Sequence, residues 1–77
     1  MNGHHRVVPV REGSIRLGQL LKLADLVDAG SDAKPLLADG LVSVNGAVET
    51  RRGRRLVVGD VVAVDHPSLG ACTVEIA

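Results

Sequence analysis

The 77-residue chain has no phenylalanine, tyrosine or tryptophan. Its core must therefore be built from valine, leucine, isoleucine and alanine, and a core of this size is expected to be only marginally stable. Proteins that hold single-stranded bases usually stack them on aromatic rings. If this chain binds nucleic acid, it must do so through phosphates, sugars and shape, which favours folded RNA over an unstructured strand.

Cysteine and long apolar runs are also scarce. The one cysteine, Cys72, cannot form an internal disulfide, so nothing indicates an oxidising compartment. No stretch approaches the length of a membrane span, and the opening MNGHHRVVPV lacks the apolar core of a signal peptide. We therefore expect a cytoplasmic protein.

The chain also lacks a net charge, because nine basic residues balance nine acidic ones. This rules out a polybasic protein that coats nucleic acid by bulk charge. Any anion binding then requires a local separation of charge. Such a separation is present in ETRRGRR, residues 49–55, where arginine occupies four of the last five positions.

The motifs of common enzyme and metal sites are absent. Neither GxGxxG nor GxxxxGK[ST] occurs, and a zinc site needs about four well-spaced ligands, which the three histidines and Cys72 do not provide. His66 lies in a predicted loop and is interpreted as a surface residue, while Cys72 is interpreted as a small core residue. We expect no catalytic activity, no cofactor and no metal.

The first part of the chain predicts a tail, a strand and a helix. Residues 1–5 are expected to form a flexible tail and residues 6–10 a short edge strand, because Pro9 cannot donate to a ladder. The first helix is predicted over residues 16–23, with Ser14 as a candidate cap, because apolar residues recur there with helical spacing. Its buried stripe consists of Leu17, Leu20, Leu21 and Ala24.

A second helix is predicted to begin at Ser31 or Asp32, either of which suits an N-cap, and to end at Gly40. Pro35 falls in the first turn or just after it, where little hydrogen bonding is lost. The buried edge of this helix consists of Ala33, Leu36 and Leu37.

A hairpin is predicted after the second helix. Val42 and Val44 alternate with polar or small residues, Asn45-Gly46 favours a type I′ turn, and Val48 resumes the alternation.

Further strands follow, with two apolar runs around Gly59-Asp60 and a last strand over residues 72–77. The whole pattern predicts a single α+β domain over residues 6–77, in which two short packed helices are followed by a small, mostly antiparallel sheet of short strands.

The arginine cluster allows two interpretations. Charge runs are usually solvated loops, and this is the simpler one. The alternative is a phosphate-binding loop, because the arginine side chain is always ionised and its planar fork of donors fits phosphate oxygens. Gly53 separates the two arginine pairs and lets the backbone turn, so that both pairs could face one surface.

Residues 16–46, RLGQLLKLADLVDAGSDAKPLLADGLVSVNG, resemble the S-four RNA-binding domain, named after a small-subunit ribosomal protein. The matching residues are Arg16-Leu17, Leu21, Ala33-Lys34, Leu36-Leu37, Gly40, Val42, Val44-Asn45-Gly46, Gly59-Asp60 and Val62. The segment ETRRGRRL looks most like the small stand-alone bacterial members. The resemblance covers residues 14–65.

This resemblance implies an L-shaped RNA-binding surface, the alpha-L motif, formed by the two helices and the hairpin after them. The RNA-binding residues that it implies, together with one lysine on the polar side of the first helix, are Arg16, Lys22, Lys34, Arg51, Arg52, Arg54 and Arg55. Asn45 and Gly46 are expected to shape the hairpin. We expect these cations to converge on one face, with Asp25, Asp28 and Asp39 elsewhere.

The resemblance therefore implies a non-catalytic, ribosome-associated protein that binds structured RNA, either ribosomal or tRNA-like, through phosphate contacts. Ribosomal proteins are further candidate partners, and a monomer is expected. The alternative is a protein-interaction module that docks on an acidic partner through the Arg51–Arg55 loop, because arginine pairs with carboxylates as readily as with phosphates.

Overall fold

The computed structural model describes residues 4–27 and 33–77. Within them the chain forms seven strands and two helices. In chain order these are β1 (His4–Val8), β2 (Ser14–Arg16), α1 (Leu17–Leu23), α2 (Ala33–Ala38), β3 (Val42–Val44), β4 (Ala47–Val48), β5 (Arg55–Val57), β6 (Val61–His66) and β7 (Gly70–Ile76). No helix in these two ranges is long and apolar enough to cross a membrane.

The strands form two sheets. The larger sheet has five strands in the order β1-β7-β6-β3-β4, and the smaller one pairs β2 with β5. β1 runs parallel to β7, whereas every other pair is antiparallel. The two apolar runs around Gly59-Asp60 therefore lie in different sheets, because β5 pairs with β2 and β6 pairs with β3 and β7.

The predicted fold class, two helices followed by a sheet, is wrong. Strands dominate the described residues, and β1 and β2 precede the helices. β1 contributes an edge strand to the main sheet by pairing with residues 72–76, and β2 pairs with residues 55–57. The prediction failed because these pairings join segments far apart in the sequence, and local periodicity carries no signal for such pairing.

The edge strand predicted at residues 6–10 exists, but it begins earlier. Residues 4 and 5, which were expected to belong to a tail, are part of β1. His5 pairs with Thr73 in the register, and its Nδ1 lies 2.7 Å from the Thr73 hydroxyl oxygen. Pro9 follows the strand directly, where its missing N–H costs no ladder hydrogen bond.

One cluster of buried apolar side chains joins both helices, the larger sheet and β5. It consists of Leu17, Leu20, Leu21, Ala24, Leu26, Ala33, Leu36, Leu37, Val42, Val44, Leu56, Val62, Val64, Cys72, Val74 and Ile76. The predicted apolar stripes of both helices are confirmed, as is the core position of Cys72. Along β3, β6 and β7, buried residues alternate with more exposed ones, as the two-residue period requires.

Both helices end in the same way. The N–H of Leu41 donates to the Leu36 carbonyl at 3.1 Å, and that of Gly40 donates to the Leu37 carbonyl at 3.2 Å. This is a Schellman motif, with Gly40 at φ 72° as predicted from its position. In α1 the corresponding residue is Asp25, at φ 59°.

The helix starts differ from the predictions. Ser14 lies in β2 and does not cap α1, whose N-cap residue is Arg16. Pro35 is the third residue of α2, within the first turn as expected. The proposed caps of α2, Ser31 and Asp32, lie outside the described residues.

Candidate functional site

The arginine segment forms the cap of α1. The N–H of Leu17 donates to the carbonyl of Arg54 at 2.8 Å, and the N–H of Gly18 donates to that of Arg52 at 2.9 Å. These amides belong to the first turn, where a helix offers no partners of its own. Arg16 adds a third link, because its Nη1 donates to the Gly53 carbonyl at 2.8 Å.

A buried carboxylate holds this segment from the other side. Glu49 is the one buried charged residue in the described part of the chain, with 7% of its surface exposed. It accepts hydrogen bonds from Arg51 Nε and Nη2, both at 3.1 Å, and from Arg54 Nη1 at 2.9 Å. The backbone amides of Thr50 and Arg51 also donate to it, each at 3.1 Å.

These contacts keep Glu49 ionised. The Arg51 side chain, then the Arg54 side chain, then the Arg51 backbone amide lower the pKa of Glu49 to about 2. The hydrogen bond with Glu49 in turn raises the pKa of Arg51. One negative charge is thus shared between two guanidinium groups, and the three side chains together carry one net positive charge.

Glu49 was missed by the sequence analysis, although a signal for its orientation existed. The two-residue turn pairs Val44 with Ala47, so that Val48 pairs with Ser43 on the outer face. Glu49 then lies opposite Val42, whose carbonyl accepts its N–H at 2.9 Å. Val48, expected to resume the inward alternation, is instead 65% exposed, and the inward position belongs to Glu49.

Arg52 lies against the start of α1. A Cβ on Gly18 would collide with the Cγ of Arg52, so the absence of a side chain at position 18 makes room for this arginine. A shallow groove at this point, the α1 groove, is lined by Arg16, Gly18, Gln19, Lys22, Arg52 and Gly53. Three of the predicted cations therefore meet in one groove.

A second depression, the α2 groove, lies on the other side of the same arginine. It is lined by Lys34, Leu37, Ala38, Thr50 and Arg52. Arg52 thus borders both grooves. We call the surface formed by the two grooves the basic face, because neither lining contains an acidic residue.

Arg55 adjoins this surface through the small sheet. It is the register partner of Arg16 in the β2–β5 pair, so the two side chains share one face of that sheet. Like charges placed directly opposite each other destabilise a strand pair, and an anion between them would relieve the repulsion. Over residues 4–27 and 33–77, Arg52, Arg55, Lys22 and Lys34 form no ion pair.

The acidic residues take other positions. Asp25 lies 3.7 Å from Arg6 Nη1 and, with Glu12, lines a different groove, which also reaches Lys22. Asp39 is exposed and lines neither groove of the basic face. Asp28 lies outside the described residues. Lys22 therefore marks a border between the basic face and a surface of mixed charge.

The hairpin turn at Asn45 and Gly46 is bonded to a second turn. Asn45 and Gly46 have φ 51° and 87°, as a type I′ turn requires, and Asn45 also bonds to the Gly59-Asp60 turn. Its Oδ1 accepts the N–H of Val61 at 2.9 Å. The two turns therefore hold each other in place.

His66, interpreted from the sequence as a surface residue, is half-buried and fully engaged. Its Nδ1 accepts the N–H groups of Ser68 and Leu69 at 3.0 and 3.1 Å, and its Nε2 lies 2.9 Å from the Leu26 carbonyl. Amides only donate and carbonyls only accept, so these contacts make Nδ1 the acceptor and Nε2 the donor. It connects the β6–β7 turn to the segment after α1.

The family model of the S4 domain matches residues 8–70, a range that includes both helices and the arginine segment. The chain is 51% identical over 51 residues to "Probable ribosome maturation protein RlbA" of Bacillus subtilis (strain 168), a match that covers 66% of this chain and 72% of that protein. It is 43% identical over 49 residues to "Putative RNA-binding protein YbcJ" of Escherichia coli (strain K12), covering 64% and 70% respectively.

Proposed function

The chain belongs to the S4 domain family, and from this membership we propose that it binds structured RNA through the basic face, without catalysing a reaction. The observation that carries the proposal is the position of Arg52 between two grooves whose linings hold cations and no carboxylate. Phosphate contacts of this kind fix a protein on RNA without reading its sequence.

The proposed RNA contacts divide into two groups. Arg52, Arg16, Lys22 and Lys34 line the grooves, and Arg55 adjoins them, so these five are the proposed phosphate ligands. Arg51 and Arg54 share the Glu49 carboxylate, so their first role is to hold the loop. We therefore narrow the set of phosphate ligands that the sequence suggested.

The RNA that we propose is ribosomal. One relative is named as a ribosome maturation protein and another as an RNA-binding protein. A precursor of ribosomal RNA offers the folded helices that suit a surface with no aromatic ring for stacking bases. The monomeric state and the cytoplasmic location remain predictions.

A filter-binding titration tests the proposal. The probes are a ribosomal RNA fragment that contains a helix junction and an unstructured strand of equal length, each measured over a series of salt concentrations. We expect the folded fragment to bind more tightly, and Arg52→Ala to reduce the salt slope by roughly 0.7–0.9 for each phosphate contact that the substitution removes.

Arg6→Ala is the matched control, because it removes the same charge from β1, where Arg6 contacts Asp25. It should leave the slope unchanged. Equal effects of the two substitutions would mean that overall charge, and not the basic face, determines binding. If the unchanged protein retains neither RNA on the filter, the proposed function is wrong.

A further inference from the structure

We propose that Glu49 is a positioning residue for RNA binding, and that its carboxylate holds the arginine loop, residues 50–54, in the shape that places Arg52 between the two grooves. The inference rests on the proposed function. It has an unusual consequence, because removing a negative charge from this loop should weaken the binding of a polyanion.

Glu49 accepts several hydrogen bonds from the loop. Five hydrogen bonds reach the two oxygens of Glu49, two of them from the backbone amides of residues 50 and 51. Each joins a charged group to a donor, which makes them stronger than neutral hydrogen bonds. The carboxylate therefore fixes the backbone where the loop begins and the two arginine side chains on either side of Arg52.

The loop is in turn hydrogen-bonded to the start of α1. The carbonyls of Arg52, Gly53 and Arg54 accept hydrogen bonds from residues 16–18. Glu49 holds one side of the loop and the start of α1 holds the other. The Arg52 side chain emerges between these anchors and lies against Gly18, so its direction depends on both.

A charge effect of Glu49 on RNA binding would have the opposite sign to a positioning effect. An acidic residue beside a phosphate site repels the ligand. A neutral replacement would then tighten RNA binding and steepen its salt dependence, because the loop would gain one net positive charge. Positioning predicts the opposite sign, and the two roles can therefore be distinguished in one measurement.

The experiment compares Glu49→Gln with Glu75→Gln, using the ribosomal RNA fragment described above. Glu75 is exposed on β7, between Val7 and Val61 in the register of the sheet, and lines neither groove, so its replacement adds the same charge outside the basic face. We expect Glu49→Gln to raise the Kd roughly tenfold, the loss expected for one charge-assisted contact. Glu75→Gln should bind as the unchanged protein does or slightly more tightly.

Both variants are assayed at a temperature where their amide spectra are those of the folded protein, so that reduced stability does not count as reduced affinity. Hydrogen exchange gives an independent measurement. In Glu49→Gln the amides of Leu17 and Gly18 should exchange faster, because their partners in the loop are no longer held. Native affinity in folded Glu49→Gln, or a tighter Kd, overturns the proposal.

Arg54→Gln provides a second route if Glu49→Gln does not fold. Arg54 donates to the same carboxylate and is less exposed than Arg51. We expect weaker RNA binding and a lower salt slope, because a displaced Arg52 loses its phosphate contact. The double variant with Arg52→Ala should bind no more weakly than Arg52→Ala alone, because Arg54 acts through Arg52. A further loss of affinity in the double variant would make Arg54 a phosphate ligand and overturn the inference. If the unchanged protein does not bind the RNA, it is the proposed function that fails.

Discussion

Asn45 donates a hydrogen bond from its side-chain amide to Asp60 Oδ1 at 3.0 Å, and this bond links the two turns that carry the family resemblance. The other oxygen of Asp60 accepts the N–H of Val57 at 2.9 Å. That backbone amide, followed by Asn45, lowers the pKa of Asp60. The Asn-Gly and Gly-Asp motifs, which lie far apart in the sequence, thus form one structural unit that joins β3 to the start of β6.

The first prediction concerns this unit. Asn45→Gly keeps the positive φ and removes the amide, and Asp60→Ala removes the carboxylate. Each should lower the free energy of unfolding by about 1 kcal/mol, the usual contribution of such a hydrogen bond. The double variant should lose less than the sum, because both substitutions remove the same bond. Urea titrations provide the measurement, with exposed Asp65→Ala as the control; strictly additive losses would contradict the coupling.

The second prediction concerns acid. The pKa of Glu49 falls from 4.5 to about 2 on folding, so its contribution to stability is complete above pH 4.5 and is lost as the pH falls towards 2. The melting temperature of the unchanged protein should therefore decline more steeply across this interval than that of Glu49→Gln. Circular dichroism melts at several pH values measure both. Asp60 contributes equally to the acid dependence of both proteins. Parallel curves would mean that protonation of Glu49 does not cause the loss of stability in acid.

The third prediction separates stability from binding at Gly18. Alanine is a better helix former than glycine by about 1 kcal/mol, but its Cβ would displace Arg52 from the α1 groove. Gly18→Ala should therefore keep near-native stability and bind RNA roughly tenfold more weakly, as expected when one charge-assisted contact is removed. The control is the same substitution in the Arg52→Ala background, where it should change the affinity no further because no arginine side chain is left to displace. Native affinity in Gly18→Ala would show that the position of Arg52 does not matter, and equal losses in the two backgrounds would show that the new Cβ acts independently of Arg52.

The fourth prediction concerns His66. Replacement by alanine removes the acceptor for two backbone amides and the donor to the Leu26 carbonyl. The free energy of unfolding should fall by about 1–3 kcal/mol, the cost of leaving such groups unsatisfied. RNA affinity of the folded variant should not change, because His66 lines neither groove of the basic face. Ser68→Ala keeps its backbone amide and should be neutral; a loss of affinity in His66→Ala would place the turn in the interface.

The sequence was informative where structure depends on near neighbours. The stripe from Leu17 to Ala24 and the edge from Ala33 to Leu37 follow a helical period that can be counted directly. Positive φ at Asn45 and Gly46 follows from the chemistry of a two-residue turn. In each case the interactions that decide the conformation lie within a few residues.

Long-range pairing and the acidic residue of the loop were not predicted. Nothing near His5 indicates that its partner is Thr73, 68 positions away. The buried position of Glu49 was not predicted for a different reason. Its register in the hairpin could be counted, but carboxylates are rarely buried unless they are paired. Its partners, Arg51 and Arg54, are interpreted from the sequence as part of a solvated loop or as ligands for an external anion, and not as partners of a neighbouring carboxylate.

The first two amides of α1 donate to main-chain oxygens of the loop, and no side chain caps the helix. Side chains at positions 52 and 53 could therefore be exchanged in a designed library without removing the acceptors on which the helix relies. Selection from such a library would change the preference for one nucleic acid over another on an unchanged scaffold. The condition is that the contacts of Glu49 with Arg51 and Arg54 are retained.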